Sequence, residues 1–151
     1  MCFRVASGRR ILKMQLTAHF RLEEFSCKDG TEVPPHLLGN VKALALCLER
    51  VREKFGRPIN IISGYRTVAY NAKCGGKKPE YDNNGFLVAG TGSKHLYAMA
   101  ADIVINGVET KEVAEEIEAM IEAGEIPEGG VGVYATFVHY DHRLKKARWK
   151  G

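Results

Sequence analysis

The most regular hydrophobic pattern along the chain lies between residues 37 and 55. Apolar residues recur there at alternating steps of four and three, at Leu37, Val41, Leu44, Leu48, Val51 and Phe55. Most of the other positions between 49 and 54 carry charged side chains. An apolar stripe opposite a charged face is typical of an amphipathic α-helix packed on a core. Pro34 and Pro35 precede the stripe and Gly56 follows it, so we expect a scaffold helix that begins near the prolines and ends before Gly56.

A second helical pattern follows Thr110, a residue type that commonly caps a helix N-terminus. Its predicted buried face consists of Val113, Ile117, Met120 and Ile121, and Gly124 is expected to end the helix. Glutamates between positions 112 and 122 occupy the opposite face, and those near the start complement the helix dipole. We interpret them as a solvated face and exclude them as catalytic acids.

Four short runs are predicted to be β-strands. Residues 59–63 and 102–105 are rich in β-branched side chains, and an Asn-Gly turn signal closes the second run. A Gly-Val-Gly-Val-Tyr run ends at Tyr134, and residues 137–141 form the last strand. If strand 102–105 pairs with strand 137–141, Asp102 and His139 lie side by side on one face. The pattern predicts a single α+β domain, in which a small antiparallel sheet carries two main helices.

Three further segments are less regular. Thr67 is a plausible N-cap for a short helix that ends near Lys73. Residues 74–92 are rich in Gly and Asn and lack periodicity, which indicates either a functional loop lining a cleft or a disordered loop. The basic tail from Arg143 to Gly151 is expected to wrap the surface, with Trp149 packed.

The composition is that of an ordinary globular domain. The chain has 151 residues, 45% of them hydrophobic and 26% charged, with a formal net charge of +4. This positive excess favours contact with an anionic polymer such as bacterial cell wall, or has no functional meaning, since the charges are scattered. No nucleic-acid-binding motif is present, and no apolar run approaches the ~18 residues of a transmembrane helix. The four cysteines lack CxxC spacing, which excludes a Cys-based zinc site and a disulfide framework.

Two histidines and one aspartate are the strongest candidates for chemistry. His95, Asp102 and His139 each stand beside a short apolar run, and imidazole nitrogen and carboxylate oxygen are zinc ligands. A catalytic zinc typically takes about three protein ligands and leaves a position for water. The alternative is that each histidine is a hydrogen-bonded core residue. Asp141, two positions after His139 on the same strand, is expected to point to the same side, toward the metal or its water.

Arg66 follows the predicted strand 59–63, at the rim of the sheet where functional side chains are commonly displayed. Its planar guanidinium suits binding of a substrate carboxylate or of negative charge developing on a scissile carbonyl. From these residues alone, a solvated loop arginine is the simpler interpretation.

The motifs together resemble one family. The pattern Ser93-x-His95-x6-Asp102, followed by His139-x-Asp141, is similar to zinc peptidases that cut D-amino-acid-containing bonds in bacterial peptidoglycan. These are the D-Ala-D-Ala carboxypeptidases and hedgehog-like peptidases of the M15 group. Residues 63–67 (Ser-Gly-Tyr-Arg-Thr) with Asn71 downstream, residues 19–25 and residues 147–149 also resemble this group, especially its small phage- and bacteria-borne branch.

The resemblance implies a function for each candidate. It implies a hedgehog/DD-peptidase-like fold, Zn²⁺ held by His95, Asp102 and His139, and hydrolysis of stem or cross-link peptides as a carboxypeptidase or endopeptidase. It makes Arg66 the leading substrate-binding and oxyanion-stabilising residue, and it gives Ser93 a role in supporting the loop or the substrate by hydrogen bonding.

Two positions depart from the family pattern. Ala98 replaces the usual Gly, which is a mild change if the backbone there avoids positive φ. Thr136 stands three positions before His139, where several members carry an acidic general base. Asp141 is therefore assigned as the base provisionally, the alternative being that it orients a histidine.

Two rival functions remain open on this sequence. One is a non-catalytic, zinc-structured cell-wall-binding or virion-associated module on the same fold, favoured by the missing acid at Thr136. The other is a metal-free wall-binding or virion structural domain. For the enzyme we expect a disordered extension over residues 1–13, a zinc peptidase domain over 14–151, and a monomer. Residues 1–13 lack the apolar region of a signal peptide, so we expect synthesis in the cytoplasm and action on the cell wall after release or injection, as for a phage or prophage product.

Overall fold

A five-stranded sheet is at the centre of the computed structural model, which describes residues 13–151. Its strands are β1 (Asn60–Ser63), β2 (Ala100–Val104), β3 (Gly130–Val133), β4 (Val138–Asp141) and β5 (Ala147–Lys150). Their order across the sheet is β1-β2-β4-β3-β5. Neighbouring strands are antiparallel except β3 and β5, which are parallel.

Within residues 13–151, three α-helices accompany the sheet: α1 (Leu38–Phe55), α2 (Val68–Lys73) and α3 (Thr110–Glu122). Short 3-10 helices span Leu22–Phe25, Pro35–Leu37 and Lys94–Tyr97. The predicted α+β class is confirmed, and so is the stripe of α1, in which Val41, Leu44, Leu48 and Val51 are fully buried. Gly56 ends α1 in the left-handed region, at φ 62°, as expected for a C′ glycine.

Both main helices share one core with the inner face of the sheet. Leu44 and Leu48 of α1 and Ile117 of α3 belong to the same buried cluster as Ile103 of β2 and Val138 of β4. Burial of each such side chain contributes roughly 1.5–3 kcal/mol. With Ile103 facing this core, its neighbour Asp102 faces the opposite side of the sheet.

Three expectations about element boundaries need correction. The tail does not simply wrap the surface, because residues 147–150 form the edge strand β5 beside β3. β2 begins at Ala100, two residues before the predicted start. Thr110 is the first residue of α3, and the N-cap position belongs to Glu109.

The predicted extension over residues 1–13 lies, apart from Lys13, outside the described residues. Within residues 13–151, no helix combines the length and the apolar character needed to cross a lipid bilayer.

Ala98 adopts the left-handed conformation, with φ 55° and ψ 31°, at the end of the 3-10 helix that carries His95. The condition for a mild change from the family's Gly is therefore not met. A left-handed backbone costs a residue with a Cβ roughly 1–2 kcal/mol relative to glycine. Ala98 is also buried in the core, so its methyl group recovers part of this cost.

We expect Ala98→Gly to change the free energy of unfolding by less than about 1 kcal/mol, since relief of strain offsets the lost methyl group and the added chain entropy. The matched control is Ala45→Gly, at an equally buried alanine in the middle of α1. There the same substitution should cost about 2 kcal/mol, because it relieves no strain. Chemical denaturation of both variants measures the difference, and equal losses would show that position 98 is unstrained.

Candidate metal centre

A single row of residues crosses the sheet on its outer face. Ser63 of β1 pairs with Asp102 of β2, Asp102 pairs with His139 of β4, His139 pairs with Gly132 of β3, and Gly132 pairs with Trp149 of β5. Residues 102–105 and 137–141 do lie on paired strands, so the condition for placing Asp102 beside His139 is met. The row places a hydroxyl, a carboxylate, an imidazole and an indole side by side.

The Trp149 ring extends over the position where Gly132 has no side chain. A Cβ at residue 132 would lie 2.3 Å from the indole Nε1, so only glycine fits there. The Trp149 ring centroid consequently lies 4.8 Å from that of His139, and its Nε1 donates to the Tyr134 hydroxyl at 2.8 Å. Trp149 therefore forms one wall beside the candidate metal ligand.

His95 reaches the same face from the 3-10 helix that precedes β2. One potential ligand atom from each of His95, Asp102 and His139 lies within 4.8 Å of the others. The Asp102 Oδ1 atom is 3.3 Å from His95 Nε2 and 3.1 Å from His139 Nδ1. All three residues are buried. The structure thus brings together the three residues that were predicted from the sequence as metal ligands.

In each of the three residues, the polar side-chain atom that faces away from the cluster makes a hydrogen bond. His95 Nδ1 lies 2.7 Å from the Gly64 carbonyl, which can only accept, so Nδ1 carries the proton. His139 Nε2 lies 2.7 Å from Asp141 Oδ2 and donates to it. Asp102 Oδ2 accepts from Arg66 Nη2 at 2.9 Å. Such outer contacts fix the tautomer and direction of metal ligands.

This arrangement fits a divalent cation. With the outer nitrogens protonated, the lone pairs of His95 Nε2 and His139 Nδ1 and the Oδ1 atom of Asp102 all face one another. Three converging acceptors repel unless a proton or a cation lies among them. Two neutral imidazoles and one carboxylate are a ligand set used by catalytic zinc, which leaves a further position open.

The electrostatics of the cluster put Asp102 and His95 in the forms that bind a cation. Burial alone would raise the pKa of Asp102, but its contacts with His139 and His95 hold it well below the ordinary value. Burial lowers the pKa of His95. Burial would likewise lower the pKa of His139, but its contacts with Asp102 and Asp141 raise it instead. The carboxylate is therefore charged and His95 neutral, the forms in which both residues bind metals.

Asp141 makes contacts that fit an orienting role and do not fit a general base. Its side chain is completely buried, and its Oδ1 accepts from the Gly130 amide at 3.1 Å and from Arg143 Nε at 2.8 Å. Its Oδ2 accepts from His139 Nε2 and from Arg143 Nη2, each at 2.7 Å. Burial would raise the pKa of Asp141, but the Arg143 and His139 contacts lower it well below the ordinary value. Asp141 contacts the His139 nitrogen that faces away from the cluster, which favours the alternative that it orients this histidine, and its role stays a prediction.

Arg66 is anchored beside the cluster rather than free in solvent. Its Nε donates to the Ser63 hydroxyl at 2.9 Å, its Nη2 to Asp102, and its Nη1 approaches Asn71 Oδ1 at 3.5 Å. Its backbone amide donates to the His95 carbonyl at 3.0 Å. Arg66 also lines the cavity above the cluster. It thus holds Asp102 in place and faces the space where a substrate would lie.

Ser93 caps the 3-10 helix that carries His95. Its hydroxyl accepts from the His95 amide at 3.3 Å, and its own amide donates to the Lys77 carbonyl at 2.9 Å. Ser93 therefore connects the start of the ligand segment to the long loop, and its side chain borders the cavity.

The long loop over residues 74–92 forms part of the cavity wall, in agreement with the first of its two interpretations. Residues 74–77, Gly90 and Gly92 line a cavity of about 500 Å³ above the cluster. The outer part of the loop is ordered by backbone hydrogen bonds, including Asp82 N to Phe86 O at 2.8 Å and Val88 N to Glu80 O at 2.8 Å. The disordered alternative is not supported.

Sequence reasoning missed the aromatic wall of this cavity. Tyr134 and Phe137 stack with ring centroids 4.3 Å apart and line the cavity together with Trp149. Tyr134 and Phe137 lie in the connection of the β3–β4 hairpin that carries His139. Trp149 lies on β5, next to β3. Aromatic residues that precede and follow a ligand-bearing strand in the sequence could have indicated this wall. The pairing of β5 with β3, which brings Trp149 to it, was not visible in the sequence.

Thr136 is exposed and does not line the cavity. Among the described residues that do, Asp102 is the single carboxylate. The remaining histidines lie elsewhere: His142 is bonded to the Asn40 carbonyl at 3.0 Å, His19 contacts Glu49, and His36 is exposed. His142 thus faces away from the cluster.

Comparison with known families gives one match. The family model described as Peptidase M15 matches residues 17–141, a range that contains all three candidate ligands. Searches of curated proteins and of solved structures found no match.

Proposed function

This chain belongs to the peptidase M15 family, and from that premise we propose that it is a zinc-dependent hydrolase of peptide bonds in bacterial peptidoglycan. The bond is that of a stem or cross-link peptide, cut by carboxypeptidase or endopeptidase action. The observation that carries the proposal is the convergence of His95, Asp102 and His139 under an open cavity. Residues 14–151 form the proposed peptidase domain, acting as a monomer on the cell wall.

The proposed ligand atoms are His95 Nε2, Asp102 Oδ1 and His139 Nδ1, because each of these residues has its other polar atom engaged elsewhere. A zinc ion held by these atoms would supply Lewis acidity toward a carbonyl and would lower the pKa of water to about 7.

Other residues of the chain position the reactants. Arg66 holds Asp102 and presents its guanidinium to the cavity, where it would bind a substrate carboxylate or negative charge developing on the scissile carbonyl. Ser93 fixes the His95 segment and borders the substrate. Asp141, held by Arg143, keeps the His139 ring oriented so that Nδ1 faces the cluster.

A second function is favoured by one observation. With Thr136 exposed and Asp102 the single carboxylate among the described lining residues, the described lining offers no second carboxylate to act as a base toward water. A zinc-structured module that binds cell wall or is virion-associated without cutting would have this composition.

Digestion of purified muropeptides by the zinc-loaded protein separates the two functions. We expect mass spectrometry to show cleaved products with the wild type and none with His95→Ala, together with loss of bound metal. His36→Ala, at an exposed histidine away from the cavity, should retain both. Metal content without cleavage would support the binding module, and equal cleavage by His95→Ala would remove the mechanism.

A further inference from the structure

The cavity above the candidate metal centre is lined by a marked excess of positive side chains. Four basic residues border it, namely Arg66, Lys77, Lys94 and Arg143. Two of them already contact a carboxylate of the chain, because Arg66 pairs with Asp102 at 2.9 Å and Arg143 pairs with Asp141 at 2.7 Å. The other two basic residues, Lys77 and Lys94, form no such ion pair within residues 13–151.

Neither lysine pairs with a carboxylate within residues 13–151. Lys94 is partly buried, and its Nζ donates to the Gly90 carbonyl at 2.9 Å, which ties it to the long loop. A carbonyl carries no charge, so this contact orients the ammonium group without neutralising it.

The two lysines are held on the same wall by the backbone. The Lys77 carbonyl accepts from the Ser93 amide at 2.9 Å, directly beside Lys94, and from the Asn71 side chain at 3.0 Å. Asn71 in turn contacts Arg66. The base of the loop is thereby fixed to the segment that carries the candidate ligand His95 and to the arginine that holds Asp102.

We propose that Lys77 and Lys94 select substrates with free carboxylates, so that the cavity takes anionic peptides in preference to their amidated counterparts. This inference rests on the proposed function and specifies its substrate class. Two cations without counter-ions beside a concave site attract anions and raise their local concentration. An amide of the same shape makes no charge-assisted hydrogen bond with an ammonium group, so it loses the stronger part of the contact. The aromatic lining residues Tyr134, Phe137 and Trp149 carry no charge themselves.

The test uses a synthetic stem peptide with all carboxylates free and matched peptides in which one carboxylate at a time is an amide. Two quantities are measured with the zinc-loaded protein. The first is kcat/KM for each peptide. The second is binding, read from quenching of Trp149 fluorescence in the first milliseconds after mixing, before turnover. Trp149 is the only tryptophan of the chain and lines the cavity, so its signal reports on this site.

We expect the wild type to prefer one of the free carboxylates by about tenfold or more, as for a hydrogen bond to a charged group. Lys94→Met should lose most of this preference. Lys77→Met, at a more exposed position, should lose roughly threefold. Lys42→Met removes the same charge from an exposed position on α1 and should leave the preference unchanged.

The two readouts separate failure of this inference from failure of the proposed function. Cleavage of acid and amide peptides with equal kcat/KM and equal binding would overturn the carboxylate selection while leaving the peptidase intact. A preference that survives in the Lys77→Met, Lys94→Met double variant would also overturn it. Binding that favours the free carboxylate and is lost in the lysine variants, with no cleavage of any peptide, would support the selection and refute the hydrolase.

Discussion

Replacing Asp102 by asparagine is expected to lower zinc affinity by more than about 100-fold and to remove peptidase activity. The substitution removes the single negative charge among the three candidate ligands. It also leaves the Arg66 guanidinium, which is 12% exposed, without its anionic partner. Loss of one member of a buried ion pair typically costs about 3–5 kcal/mol of stability. Zinc titration, peptide hydrolysis and chemical denaturation of the same preparation measure the three effects.

The control for Asp102→Asn is Glu115→Gln on the exposed face of α3. Glu115 pairs with Lys111 one helical turn away at 3.7 Å, and both side chains are well exposed. Loss of such a pair costs only about 0.3–0.5 kcal/mol and should leave zinc binding untouched. Full activity in Asp102→Asn would show that the carboxylate is not a ligand.

Asp141→Asn is expected to weaken zinc binding by about 10–100-fold, the usual effect of removing a group that orients a metal-binding histidine. Asparagine can still accept a hydrogen bond from His139, but it brings no charge to hold Arg143. Because Asp141 acts through His139, activity should return when the variant is saturated with zinc.

A general base at this position would give a different result. Asp141→Asn would then bind zinc normally, yet kcat would fall by roughly 10²–10⁴-fold, and added metal would not restore it. Zinc titration combined with kcat at saturating metal therefore distinguishes orientation of His139 from proton transfer. Normal zinc affinity together with unchanged kcat would exclude both roles.

Much of the fold could be predicted because local patterns determine it. The stripe of α1 repeats with helical spacing over more than four turns, and its buried positions follow from that spacing alone. The pairing of β2 with β4 could be anticipated because side chains alternate between the two faces of a strand. With one face buried, few registers of pairing are possible. The sequence therefore supported the expectation that Asp102 and His139 lie side by side if these two strands pair.

The position of β5 could not be predicted in the same way. Residues 147–150 (Ala-Arg-Trp-Lys) alternate apolar and polar side chains, but a run of four residues, all partly buried or exposed, is too short to identify a strand. Their parallel pairing with β3 depends on contacts made elsewhere in the sheet. A glycine in the middle of a strand, such as Gly132, often marks a position where another group comes close to the backbone. Nothing in the sequence identified Trp149 as that group.

The role of Asp141 shows a similar limit. Its spacing from His139 correctly indicated that the two side chains share a face, and the 2.7 Å contact agrees. Spacing could not reveal that Arg143 and the Gly130 amide also engage the same carboxylate. The choice between base and orienting group depends on those contacts, which arise only once β3 and β4 have paired.

The row of residues across the sheet has a consequence for the folding of this protein. Asp102 and His139 are 37 positions apart in the chain, and they become neighbours only when β2 and β4 are in register. A slip of one residue would turn His139 to the opposite face and separate it from Asp102. In a nascent or misregistered chain the candidate ligands therefore do not converge, and the candidate metal centre forms only when the native strand pairing is complete.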